Sequence, residues 1–110
     1  MVTVILRSEI IDSGRRVVEQ LDSDGIKVDA AFWCFMEEKD AWKLMLSLPE
    51  LTSEGTRAGY KAVQKSLSRI PDPGITLTDI MVLRPSSPSI ALLRAGLIED
   101  AYIYRNLKGR

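Results

Sequence analysis

The chain has 110 residues, 45% apolar and 27% charged, with fifteen basic and fifteen acidic side chains, no histidine and a single cysteine, Cys34. Histidine is the readiest proton shuttle near neutral pH and the commonest metal ligand, so its absence excludes most hydrolase triads and most zinc sites. The balanced charge gives no global attraction to nucleic acid or anionic membrane and leaves only local patches to consider.

One domain over residues 1–110 is expected, large enough to bury a core without disulfide or metal support. Cys34 has no second cysteine to pair with and lies in an apolar run, which fits a reducing, cytoplasmic compartment. No apolar run approaches the roughly 20 residues that span a bilayer, so no membrane association is expected. Met1–Ser8 has Arg7 as its one charged side chain and lacks a small-residue cleavage pattern, so no secretory signal is expected.

Leu6, Ile10, Gly14, Val17, Val18 and Leu21 recur at helical spacing and predict an amphipathic helix ending near Asp22–Gly25. Val2, Val4 and Leu6 also alternate, so residues 2–7 form a strand in the alternative reading. Lys27–Met36 and Trp42–Leu48 flank a polar stretch and predict a β-hairpin with a five-residue loop centred on Lys39. In that register Met36 faces Trp42, Cys34 faces Leu44 and Phe32 faces Leu46, making one apolar face. Trp33, Phe35 and Met45 then form the apolar centre of the other face.

Pro49 ends the hairpin, and Thr52 or Ser53 is expected to cap a second helix running to about Arg69. Its inner face is Gly59, Tyr60, Val63, Leu67 and Ile70. Pro71-Asp72-Pro73-Gly74 is a turn. Leu77–Arg84 reads as a third strand, apolar on both faces and hence central. Ser87-Pro88 opens a third helix that Gly96 stops. Ala101–Arg105 is a last strand. The expected class is α+β, in the order helix-strand-strand-helix-strand-helix-strand on a mixed four-stranded sheet. With residues 2–7 as a strand the order becomes ferredoxin-like.

Gly14-Arg15-Arg16-Val17-Val18-Glu19-Gln20-Leu21-Asp22, Val28-Asp29-Ala30-Ala31-Phe32-Trp33, Trp42-Lys43-Leu44 and Ala101-Tyr102-Ile103-Tyr104-Arg105 span most of the chain. In these runs the sequence resembles a group of small uncharacterised bacterial proteins. No activity is assigned to that group, so the resemblance carries over no functional residue. It favours the helix-led N-terminus.

Motifs with chemical meaning are few. Asp22-Ser23-Asp24-Gly25 opens like a calcium loop, but the sixth and twelfth positions are Lys27 and Trp33 rather than glycine and glutamate. Glu37-Glu38-Lys39 has a nuclease-like spacing but sits in a hairpin loop, far from Asp29. Ser86, Ser87 and Ser89 precede a helix start, where capping explains them. Cys34 has no base beside it. No catalytic residue, metal ligand or cofactor is therefore expected.

Two surfaces remain. Trp33, Phe35 and Met45, with Tyr102 and Tyr104 alternating together on the last strand, form a candidate partner-binding patch. Arg57, Lys61, Lys65 and Arg69 recur at i, i+4 on the second helix and form a candidate nucleic-acid stripe. The patch implies a non-enzymatic domain that binds a protein partner or a second copy of itself. The stripe implies a nucleic-acid accessory protein. An enzyme with no recognisable motif is the third reading.

Overall fold

In the computed structural model, residues 8–84 and 101–105 are described, and they form a small α+β fold. Helix α1 spans Ser8–Ser23 and buries Ser13, Gly14, Val17, Val18 and Leu21. Their spacing keeps one stripe on one side of a 3.6-residue turn. Gly25 stops the helix in the left-handed region at φ 79°, and the N–H groups of Gly25 and Ile26 return to the carbonyls of Asp22 and Leu21.

Strands β1 (Ala30–Met36) and β2 (Ala41–Ser47) form the hairpin. Its register differs by one residue from the sequence expectation. Met36 pairs with Ala41, Phe35 with Trp42, Trp33 with Leu44 and Phe32 with Met45. The loop has four residues, not five. A 3₁₀ turn over Glu37–Lys39 leads into Asp40, whose φ of 50° closes the loop one residue early. Aspartate tolerates that conformation better than most side chains. The slip exchanges the faces, because side chains alternate. Trp33, Phe35, Trp42, Leu44 and Leu46 now share one face. Phe32, Cys34, Met36 and Met45 share the other. The predicted single face of Phe32, Cys34, Met36, Trp42, Leu44 and Leu46 does not exist.

The second helix also starts later than expected. Thr52 is fully buried and donates its hydroxyl to the Leu48 carbonyl at 2.9 Å, so it caps nothing. A turn at Ser53–Glu54, with Gly55 N–H bonded to the Thr52 carbonyl, delays α2 to Arg57–Leu67. Helix α2 buries Gly59, Val63, Ser66 and Leu67. It carries the chain from β2 to strand β3 (Ile80–Leu83), which lies parallel to β2.

Strand β4 (Ala101–Arg105) pairs antiparallel with β1, so the sheet order is β3-β2-β1-β4. Among the described strands, β3 therefore sits at an edge, not at the centre. It is apolar on both sides because each side joins a different core. Ile80 and Val82 join the residues of α1 and α2 that pack with Trp33, Leu44 and Leu46. Leu83 joins Ala30, Phe32 and Met45.

The ferredoxin-like alternative fails on topology. It requires another strand between β2 and β3. Here Leu44 pairs directly with Ile80, and Leu46 with Val82. Residues 2–7, the helix expected over Ser87–Gly96 and the serines at 86, 87 and 89 lie outside the described residues. Among the described residues, no helix is long and apolar enough to cross a membrane.

Candidate functional site

Part of the expected aromatic patch packs inside the molecule. Trp33 is 1% exposed and Met45 2% exposed, on opposite faces of the sheet. The one-residue register slip separates them. The Trp33 indole N–H donates to the Tyr104 hydroxyl at 2.8 Å, and that hydroxyl donates to the Ile11 carbonyl of α1. Tyr104 reaches this position at a bulge: Ala31 pairs with Arg105 while Phe32 pairs with Ile103, so two residues of β4 stand opposite one of β1. Phe35 is half-buried, edge-on to Trp42 with ring centroids 5.6 Å apart. Tyr102 stands opposite Trp33 in the ladder, and its side chain is not described. Of the five expected patch residues, Trp33, Met45 and Tyr104 are committed to the molecule's own packing.

The cationic row is different. Arg57, Lys61 and Lys65 are all exposed on α2, on the side away from Val63 and Leu67. None of the three makes an ion pair or side-chain hydrogen bond with another described residue. Most other described cations do have partners. Arg15 bonds Asp12 and Glu19. Arg16 lies 3.6 Å from Asp12 and reaches the Asp72 and Pro73 carbonyls. Lys27 meets Asp29, and Lys43 donates to the Thr78 carbonyl.

Arg69 leaves the row. It lies just beyond α2, and its guanidinium donates to Asp24 at 2.7 Å. Asp24 also accepts from the Ser66 hydroxyl at 2.6 Å and from Gln20 at 3.1 Å. The Ser66 hydrogen bond, with those from Gln20 and Arg69, holds the Asp24 carboxyl below its ordinary value. Asp24 thus clamps the end of α1 to the end of α2, which accounts for the acid in the calcium-like run.

No family, curated protein or solved structure matches this chain.

Other chemistry is sparse. Among the described residues, no three Cys, Asp or Glu side chains converge as a metal site would require. An open depression beside the start of α2 is lined by Glu50, Leu51, Glu54, Gly55, Arg57 and Lys61. Its carboxylates bound the cationic row at that end.

Sequence spacing identified the row but not its membership. Arg69 is at the right interval from Lys65, yet its partner Asp24 is 45 residues away. No local signal in the sequence announces that pairing.

Proposed function

We propose that this chain is a cytoplasmic, non-enzymatic binding domain that contacts nucleic acid through the solvent face of α2. The observation that carries the reading is the charge of Arg57, Lys61 and Lys65, which no other described residue shares, set against the paired state of Arg15, Arg16, Lys27 and Arg69. Three cations on one rigid face attract each other's counter-ions. A phosphate backbone that replaces those counter-ions gains from their release. The reading takes as its architecture the seven-element order with a helix over Ser87–Gly96 between β3 and β4.

Fluorescence anisotropy of a labelled nucleic acid at low ionic strength tests it. The wild type should bind, and Lys61→Glu with Lys65→Glu should not, with circular dichroism unchanged. Binding that survives the double reversal removes the row as the site. A wild type that never binds sinks the reading.

Self-association is the second reading, moved from the sheet face to the sheet edge. On β3 the Val82 N–H is occupied by the Tyr60 hydroxyl at 3.2 Å, which blunts that edge. Strand β4 ends the sheet on the other side, and among the described residues nothing pairs with its outer edge. An antiparallel pair of β4 strands would join two sheets. Light scattering over a range of concentrations decides it, since a strict monomer throughout removes this reading.

A further inference from the structure

Resting on the nucleic-acid reading above, we infer that α2 lies along the backbone of a duplex, meets three phosphates and reads no bases. Arg57, Lys61 and Lys65 recur every four residues, which is about 6 Å of rise each and about 12 Å in all. One strand of a duplex presents three or four phosphates over about that length.

The choice of duplex over single strand follows from what the face lacks. Single strands are held by stacking bases on exposed aromatic rings. The one aromatic residue of α2 is Tyr60, half-buried against the core, with its hydroxyl engaged by the Val82 N–H. Base reading in the grooves is done chiefly by Arg on guanine and by Asn or Gln on adenine, each bonding a base edge in a pair of hydrogen bonds. On the exposed face of α2 those groups are Arg57 and Gln64, seven residues and about 10 Å of rise apart, too far to read neighbouring base pairs together. Arg57 stands at the first turn of α2 with Glu50 and Glu54 around the same depression, so its surroundings repel phosphates beyond that end. Lysines at the other two positions are point charges suited to phosphate.

The count of three excludes Arg69, which Asp24 holds. This makes the salt dependence quantitative. Three displaced counter-ions give a slope of log K against log salt of about −2.7 for a duplex.

The experiment is a salt titration of binding to duplexes of several sequences and to the matching single strands. The expected slope on duplex lies between about −2 and −3 whatever the sequence, with single strands bound more weakly. Lys61→Ala should reduce the slope by about one unit, while Arg69→Ala leaves it unchanged. Tighter binding to single strands, a preference for one sequence beyond about tenfold, or a slope that falls with Arg69→Ala overturns the inference and leaves the nucleic-acid reading standing. Failure to bind any of these probes at low salt overturns that reading itself.

Discussion

Trp33 on β1 and Tyr104 on β4 are joined by an indole-to-hydroxyl hydrogen bond of 2.8 Å, and Tyr104 in turn donates to the Ile11 carbonyl of α1. The chain of bonds ties β1, β4 and the covering helix at one point. It turns the most conspicuous aromatic of the sequence from a candidate interface into a structural pin.

Trp33→Ala should therefore destabilise the fold rather than weaken an association. Truncating a buried tryptophan costs about 3–5 kcal/mol, a large part of the 5–15 kcal/mol typical of a whole domain. Tyr104→Phe keeps the ring and leaves the Trp33 N–H without its acceptor, for a loss of about 1–3 kcal/mol. Urea denaturation measures both. A Trp33→Ala variant within 1 kcal/mol of wild type would contradict the burial.

Gly14 faces the same pin from α1. A Cβ there would meet the Trp33 Nε1 at 2.7 Å and the Tyr104 hydroxyl as well. Glycine to alanine inside a helix normally stabilises by roughly 1 kcal/mol. At Gly14 the sign should reverse, with a lower melting temperature for Gly14→Ala. A variant that melts higher than wild type would mean that α1 stands farther from the sheet.

The helices were legible because their apolar residues repeat at one interval and one face is wet. Val17, Val18 and Leu21 on α1, and Val63 and Leu67 on α2, are buried at positions that spacing alone indicates. The hairpin register was not legible. Phe32, Trp33, Cys34, Phe35 and Met36 are all non-polar, so alternation gives no preference between a four- and a five-residue loop. The decision rests with Asp40 adopting a positive φ. The place of β3 was illegible for a related reason: its side chains are buried on both faces of the sheet, and burial of both faces does not report a central position. In the candidate site, spacing located the cations, and long-range pairing decided which have no partner among the described residues.

Acid should loosen the junction between the helix ends. Asp24 has a lowered pKa in the fold, chiefly through the Ser66 hydroxyl. A carboxyl whose folded pKa is depressed contributes stability that is complete above its unfolded pKa, near 4, and is lost as pH falls through the folded value. Asp24→Asn keeps the shape and removes this titration. The stability gap between wild type and variant should stay constant from neutral pH down to about 5 and narrow below about 4. Asp12, lowered mainly by its hydrogen bond to Arg15, titrates in the same direction in both proteins and cancels in the difference. A gap independent of pH down to about 3 would show that Asp24 is not held as described.

The Phe35–Trp42 pair provides the sharpest test of the hairpin register. The two rings meet edge to face, 5.6 Å apart at 69°, because Phe35 stands directly opposite Trp42. With Met36 opposite Trp42 instead, Phe35 would point to the other side of the sheet and the rings could not touch. A double-mutant cycle of Phe35→Ala and Trp42→Ala should therefore give a coupling of about 0.5–1.5 kcal/mol, the range for aromatic pairs. The control is Met36→Ala with Trp42→Ala, which should be near additive, since Met36 lies on the opposite face beside the second core. Reversal of the two results, with coupling at Met36 and none at Phe35, would restore the five-residue loop. It would also return Trp33 and Met45 to a common surface and reopen the aromatic patch as a place for a partner.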